Sequence, residues 1–496
     1  MGYRTYTCPS AARCGGCEWL NVPYPIQLKR KQAALEETFR PFLEGASAPE
    51  LLPIVGMDEP LHYRHKAATP FAPAPHGRIR YGFYAKGTHR IMNVPECLAE
   101  DPRCRAILAS VAKTAERMHI SAYDEDRGRG VLRHAVVRCA WKTDEVLLTV
   151  VANGESLPHE KEFVERFLEY TPEVTTLALN SNERRTNAIL GPHTRTLKGT
   201  GVMHDELLGC RFAIGPVSFY QTNPDQTEKL YQLAIEPVLA AAKEGSALEV
   251  LDAYCGLGTH GICLAAEAKA QGKEAHILGV EKGAEAIRLA KRNARDNGLE
   301  DACRFVCDDA TNYLEALARQ GRHFDIVVLD PTRAGSTPEF LSAVATLAPE
   351  RIAYISCNPE TQVRDLMVLA KRGYHVDTIQ GVDMFPHTKH TETVAVLSRK
   401  SASKSFIPVS ISPKDMGLSE EKDQPTYANI RDYVQKTHGM KVSSLYVAQM
   451  KAECGLETQA DRSGDKKQPK CPPEKREAIL DAFRHFGLIG EDETEK

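Results

Sequence analysis

Four short stretches carry residue types that do covalent or acid–base chemistry, each beside an apolar run. Ser356-Cys357-Asn358-Pro359 follows Ile352 to Ser356, which reads as a strand. Cys357 therefore stands at a strand's carboxyl end before a Pro-bent loop, placed as an exposed nucleophile. A lone cysteine there is more often a small buried apolar residue, so the reading leans on its neighbours. Asp383-Met384-Phe385-Pro386-His387-Thr388-Lys389-His390-Thr391-Glu392 joins aromatic, imidazole and carboxylate groups ahead of an apolar run, Thr393 to Leu397, and Glu392 is a candidate general base. Asp330-Pro331-Thr332-Arg333-Ala334-Gly335 follows a buried strand, Phe324 to Asp330, at the end where open α/β sheets bind ligands. Gly256-Leu257-Gly258-Thr259-His260-Gly261 has the form GxGxxG between a strand and a helix, where glycines admit a ligand and the helix N-terminus offers free N–H groups. Glu281, 281 − 261 = 20 residues beyond its last glycine, ends the next strand and can accept both hydroxyls of a ribose. NAD and S-adenosylmethionine both carry a ribose, so this motif alone fits either. Asp308-Asp309-Ala310 adds a carboxylate that could meet an adenine amino group.

A second constellation lies near the start. Cys8, Cys14 and Cys17 have the spacing C-x5-C-x2-C, and a fourth ligand must come from elsewhere: Cys97 is the candidate and Cys104 its rival. Four thiolates hold zinc or an iron–sulfur cluster, and the spacing leaves both open. Fourteen cysteines in 496 residues are too sparse for a disulfide scaffold. In a reducing compartment, clustered cysteines read as ligands or nucleophiles.

The elements that must position these groups change character along the chain. Residues 1–210 mix short β-like runs with cations and aromatics. Arg78 to Ala85, Val131 to Ala140 and Glu145 to Val151 read as strands and Leu28 to Phe39 as a helix. Arg78, Arg80, Tyr81, Phe83, Tyr84, Lys86, His89 and Arg90 interleave charge with rings, and Arg127, Arg129, Arg133 and Arg138 add more cations. Cations meet phosphates and rings stack on unpaired bases. Across 211–400, strands alternate with helices of 10–15 residues, the pattern of a parallel, doubly wound α/β sheet. Residues 401–424 read as a polar linker, and 425–496 as a small helical module: Tyr427 to Thr437, Ser443 to Cys454, and a helix opened by Pro472-Pro473. Its helix–Gly–helix layout suggests a helix-turn-helix-like unit able to add RNA contacts, against the plainer reading of an appendage.

The length predicts two to four domains. Charges of 63 Lys+Arg and 66 Asp+Glu exclude a globally basic polyanion binder but leave room for a local basic face. No run of 18 apolar residues predicts a membrane span and no apolar signal core opens the sequence, so a cytoplasmic protein is expected.

Taken together, the Gly-rich loop, Glu281, Asp330-Pro331, Ser356-Cys357-Asn358-Pro359 and Phe385-Pro386-His387-Thr388-x-His390-x-Glu392 resemble the RNA uracil-C5-methyltransferase family, the bacterial 5-methyluridine enzymes. Ser218-Phe219-Tyr220-Gln221-Thr222-Asn223-Pro224 is similar to the family's Ser-Phe-Phe-Gln segment, and Tyr63-Arg64-His65-Lys66 to its Tyr/Phe-Arg-Asn-Lys segment. The resemblance spans residues 8 to 400. It implies a class I S-adenosylmethionine methyltransferase fold with an N-terminal β-rich RNA-recognition region and a C-terminal helical extension. It implies Cys357 as nucleophile and Glu392 as base. It implies Gln221, Tyr254, Thr259, Glu281, Asp309 and Asp330 as S-adenosylmethionine-binding residues, and Cys8, Cys14, Cys17 and Cys97 as ligands of a structural 4Fe-4S cluster, with zinc as the alternative. The implied substrate is a single-stranded or flipped-out uridine of 23S rRNA, with no obligate protein partner and no membrane. His65 departs from the family's Asn, and Thr332 from a Pro. Many members open with a small β-barrel RNA-binding domain, whereas this sequence begins close to Cys8.

Three other readings stand beside this one. The same reaction on tRNA is opposed by the cysteine cluster, which the similar tRNA enzymes usually lack. An NAD oxidoreductase leaves Ser356-Cys357-Asn358-Pro359 and Glu392 unexplained. A non-catalytic RNA-binding assembly factor needs neither Cys357 nor Glu392.

Overall fold

The structure is a computed structural model, and it describes residues 4–45, 48–240, 247–400, 426–454, 471–486 and 488–489. The chain divides into two compact units, Met1–Ser403 and Lys404–Lys496. The boundary expected at 210 lies inside the first unit. The linker expected at 401–424 falls outside the described residues.

The first unit opens with helix α1 (Tyr24–Leu43) and strand β1 (Glu50–Val55). A β-rich region follows: β2 (Lys66–Pro73), β3 (Ile79–Tyr84), β4 (Ile91–Asn93), α2 (Pro102–Arg117), β5 (Leu132–Cys139), β6 (Val146–Ala152), α3 (Glu160–Tyr170), β7 (Thr176–Ser181) and β8 (His193–Lys198). Its seven strands lie in the order β4-β3-β2-β5-β6-β7-β8. Burial explains the sheet's center: every residue of β6, Val-Leu-Leu-Thr-Val-Val-Ala, is inaccessible, and α2 and α3 pack their apolar stripes on it through Ile107, Val111, Phe163 and Phe167. The hairpin β9 (Met203–Leu207) and β10 (Cys210–Ile214) then leads to α4 (Pro224–Ala240).

An eight-stranded sheet, joined by β1, is built from β11 (Leu248–Ala253), α5 (Thr259–Ala270), β12 (Ala275–Glu281), α6 (Ala284–Asp296), β13 (Cys303–Cys307), α7 (Ala310–Arg319), β14 (Ile326–Leu329), α8 (Pro338–Thr346), β15 (Arg351–Ser356), α9 (Pro359–Lys371), β16 (Tyr374–Val382) and β17 (Glu392–Arg399). Its order is β1-β16-β17-β15-β14-β11-β12-β13. The order reverses beside β11, the topological switch point at which such sheets bind ligands. Helices α4, α5 and α6 cover one face and α1, α7, α8 and α9 the other. The parallel pattern read from the sequence holds from β11 to β15. Strand β17 runs antiparallel to both neighbors, because a loop and not a crossover helix joins it to β16. Strand β1 pairs parallel with β16, so the N-terminal stretch supplies an edge of the eight-stranded sheet.

The second unit holds α10 (Tyr427–His438), α11 (Ser444–Glu453) and α12 (Pro473–His485) around Ile430, Val434, Val447, Met450, Ile479 and Phe483. Thr426 and Asn429 form a capping box at the start of α10, and Gly439 ends that helix at φ 66°.

Candidate active site

Sheet register brings the two candidate reactive groups together. Ser356 ends β15 opposite Thr393 of the antiparallel β17. One step further along each strand sets Cys357 beside Glu392. Strand β14 ends at Leu329 between Ala253 of β11 and Tyr354 of β15, so Asp330 and Tyr254 emerge at the same sheet edge. Ser356 Oγ accepts from the Asn358 N–H at 3.1 Å and Asn358 Nδ2 reaches the Arg333 carbonyl at 3.2 Å, tying the Cys357 turn to the Asp330 loop.

Burial dominates the electrostatics. Glu392 is 4% exposed, and its carboxyl is pushed up to about 8 by burial and then by Asp330, with Arg333 pulling it down. Asp330 is pushed up to about 7 by burial alone, and no hydrogen-bond partner meets its carboxylate among the described residues. Half-buried Cys357 is pushed up to about 11 by burial first, then by the charges of Glu392 and Asp330, against Arg333. A thiol and two carboxyls thus share one poorly solvated edge, and each makes the next harder to ionise.

The ribose-binding candidates surround that edge. Gly256 and Gly258 have φ of 53° and 76°, and a Cβ on Gly261 would lie 2.6 Å from Ile277, so these glycines fit the tight turn at the start of α5. The Gly261 N–H donates to buried Asp252 at 3.0 Å. Thr259 Oγ1 lies 2.9 Å from the Tyr231 hydroxyl. Tyr254 sits at φ 66°, a conformation rare for a side chain of this size, with its ring 5.0 Å from that of Phe340. Glu281 ends β12 and accepts from the Gly283 N–H at 2.8 Å. Asp309 caps α7 through one oxygen, which accepts from Thr311 and Asn312, leaving the other free of that cap. Gln221 lines a narrow crevice with His65, Lys66, Arg138, Asp205 and Tyr220, in which burial pushes Lys66 down to about 7.

The segment that carries Glu392 is held by residues that sequence reasoning passed over. Lys31 and Asp383 form a fully buried ion pair at 2.5 Å, and Lys31 also donates to the carbonyls of Phe385 and His390. Tyr24 donates to Asp383 at 2.8 Å. Gln27 accepts from the His387 N–H at 2.9 Å, and His387 Nε2 lies 2.8 Å from the Pro60 carbonyl, so His387 is structural. A signal existed: Gln27 and Lys31 fall on the same i, i+4 stripe of α1 as buried Leu35 and Phe39. Phe219 was quoted only as part of a motif, yet its ring is 70% exposed. Two candidate RNA cations prove internal: Arg133 donates to the carbonyls of Asn182 and Arg184, and Arg138 to that of Ser218.

The N-terminal thiols gather around β3 and β4. The Cys14 backbone bridges to Ala85, Cys14 and Cys97 pack against the cluster of Ala85, Met92 and Val94, and Cys17 and Cys97 against that of Tyr24, Met57, Tyr63 and Ala99. Cys17 is pushed up to about 12 by burial and then by Cys97, Cys14 and Cys8. N–H groups face two of these sulfurs, Gly16 toward Cys14 at 3.4 Å, and Ala99 and Glu100 toward Cys97. Cys104 instead lies in the core of α2, 3.7 Å from the sulfur of Cys139. Among the described residues, no group of three or more His, Cys, Asp or Glu side chains is arranged to hold a metal ion. No described helix is long and apolar enough to cross a membrane.

The chain is similar to known proteins over most of its length. The family model for tRNA (uracil-5-)-methyltransferase matches residues 210–400. An uncharacterized RNA methyltransferase of Halalkalibacterium halodurans is 39% identical over 394 residues, covering 79% of this chain and 83% of the relative. A second, from Bacillus cereus, is 37% identical over 392 residues, with 79% and 82% covered. The solved tRNA (uracil-54, C5)-methyltransferase of Pyrococcus abyssi, in complex with S-adenosyl-L-homocysteine, superposes with a TM-score of 0.60 at 25% identity, covering 79% of this chain and 87% of that one. With matched relatives over four fifths of its length and a thiol and a carboxyl meeting at the sheet edge, the chain belongs to the S-adenosylmethionine-dependent RNA uracil-C5-methyltransferase family.

Proposed function

We propose that this protein methylates carbon-5 of a specific uridine in 23S rRNA, with Cys357 as nucleophile and Glu392 as general base. The observation that carries the chemistry is the β15–β17 register, which sets the thiol beside the carboxyl. Carbon-5 of uracil is a poor nucleophile. Addition of the Cys357 thiolate to carbon-6 makes the ring an enolate whose carbon-5 can attack an electrophile. S-adenosylmethionine, when bound, supplies a methyl group on a sulfonium center. Glu392 then takes the carbon-5 proton, and Cys357 leaves carbon-6 as the double bond re-forms. Only the ionised carboxylate can take that proton, and burial beside Asp330, which raises the Glu392 pKa, makes that carboxylate a stronger proton acceptor once formed.

For the cofactor, the free carboxylate of Asp330 and the Gly256–Gly261 turn are the supporting observations. Glu281 would meet the ribose and the free oxygen of Asp309 the adenine amino group, with Gln221, Tyr254 and Thr259 completing the site. For the 4Fe-4S cluster, the support is that Cys14 and Cys97 pack on one small apolar cluster and Cys17 and Cys97 on another, with N–H groups facing two of the sulfurs. Its role would be structural, because the uracil chemistry needs no electron.

The cysteine set favors rRNA, whereas the solved P. abyssi relative acts on tRNA and supports that substrate as the second reading. Mass spectrometry decides between them. Total rRNA or tRNA is incubated with the protein and S-adenosylmethionine, with Cys357→Ala as control. One added methyl on a mapped 23S uridine, absent with the variant, is expected. Transfer to tRNA alone would replace the substrate, and no transfer to either, or to ribosomal precursor particles, would leave a binding protein.

A further inference from the structure

The loop between Cys8 and Cys17 brings a cation to the β-rich region. Its Arg13 carbonyl accepts from the Lys86 N–H at 2.9 Å, and Cys14 forms a bridge to Ala85, so the loop is docked on the β3–β4 hairpin. Arg13 lines an open cavity of about 270 Å³ with Arg80 of β3, Arg90, and Ile91, Met92 and Asn93 of β4. None of the three guanidinium groups has a carboxylate partner among the described residues. The nearby Glu116 is already taken by Arg78 and by the Ile79 N–H. Other arginines of this region, Arg103 and Arg105, are paired with Asp101 and Glu100. Three planar, always-charged donors around a partly apolar floor, left without counter-charge, form an anion site suited to phosphate oxygens.

We propose that Arg13, Arg80 and Arg90 form a subsite for the phosphodiester backbone of single-stranded RNA, assembled when the cysteine loop docks on the β3–β4 hairpin. The subsite deepens the RNA-methyltransferase reading and rests on it for the identity of the anion. Two of the cations come from one hairpin and the third from a segment more than sixty positions earlier, so the cavity exists only with the loop in place. A single phosphate would leave much of the cavity empty. Two successive phosphates of one strand, with Met92 and Ile91 beneath the intervening sugar, use all three arginines. The backbone carries no base identity, so the site sets affinity and register and leaves the choice of uridine to the catalytic edge.

The test uses the full-length protein and a fluorescein-labelled oligouridine in an anisotropy titration across a KCl series. Wild type is compared with the triple variant R13Q/R80Q/R90Q and with Arg166→Gln, which removes an exposed cation that pairs with Glu162 on α3. Each phosphate neutralised on a single strand adds about 0.7 to the log–log salt slope, so the triple variant should lose about 1.4 to 2 of that slope and at least tenfold in low-salt affinity. Arg166→Gln should match wild type. An unchanged slope in the triple variant, an equal loss in Arg166→Gln, or no binding by wild type would each overturn the subsite. Inorganic phosphate at the same ionic strength as KCl serves as competitor; displacement of the oligomer by phosphate at low millimolar concentration would make the site one for free anion, which also overturns it. Methyl transfer to rRNA is measured on the same preparations. If wild type transfers no methyl group while the slope difference persists, the methyltransferase reading fails and the RNA subsite stands.

Discussion

Glu392 keeps its proton to about pH 8 because its carboxyl is buried beside Asp330, and that one value has two consequences. With its ionised form as the proposed base, methyl transfer at saturating RNA should climb as pH rises through about 8, and Glu392→Gln should abolish the climb along with turnover. A pH–rate series on both proteins checks this. The second consequence concerns folding. A carboxyl whose pKa is raised from 4.5 to about 8 binds its proton more tightly in the native state, so stability falls as pH rises between those values. At pH 7 the penalty is on the order of 3 kcal/mol. Glu392→Gln should therefore melt at a higher temperature than wild type at pH 8, with the gap closing toward pH 4.5; equal melting at both pH values would contradict the buried, proton-holding carboxyl. The placement of both proposed reactive residues at the sheet edge was legible from the sequence because each begins or follows an apolar strand. The proton economy between them was not, since it depends on Asp330 and Arg333 arriving from another strand end.

Elements hold these side chains through contacts far apart in sequence. Helix α1 grips the 383–391 segment through Lys31, Gln27 and Tyr24, and β1 adds itself to β16. The alternating strands and helices after 246 announced the doubly wound sheet, whereas β1 went unread because Glu-Leu-Leu-Pro-Ile-Val is short and carries a proline. The grip of α1 also went unread, because a Lys on an apolar stripe is ordinarily taken for a solvated end. Lys31→Met leaves Asp383 buried and unpaired and should cost about 3–5 kcal/mol. Lys31→Met combined with Asp383→Leu should regain much of that stability, since the charges then vanish together. Turnover should not return, because the donors to the carbonyls of Phe385 and His390 remain missing. Chemical denaturation and steady-state kinetics on the same variants separate the two effects; full recovery of activity by the double variant would show that the pair does not position the Glu392 segment.

At the scale of the molecule, the chain divides after Ser403, and the second unit has its own core around Val434, Val447 and Phe483. Truncation to residues 1–403 should leave the melting transition of the first unit and its methyl transfer intact while removing a separate, smaller transition in calorimetry. Unchanged RNA affinity and salt slope in the truncated protein would assign the module no RNA contact. Its three helices were readable from the glycine after α10 and from Pro472-Pro473 ahead of α12; its purpose was not, because no motif of recognisable chemistry stands among its described residues. The division matters less to the order of assembly than the stitch inside the first unit. Lys31 and Asp383 lie 352 residues apart, and Trp19 donates its N–H to the His387 carbonyl. A chain emerging from the ribosome exposes α1 early and must keep it unsatisfied until almost the whole unit has been made. Glu392 therefore reaches its place only when nearly all of the first unit has been made, and the 496 − 392 = 104 residues that follow it let that unit close on α1 while the second is still being synthesised.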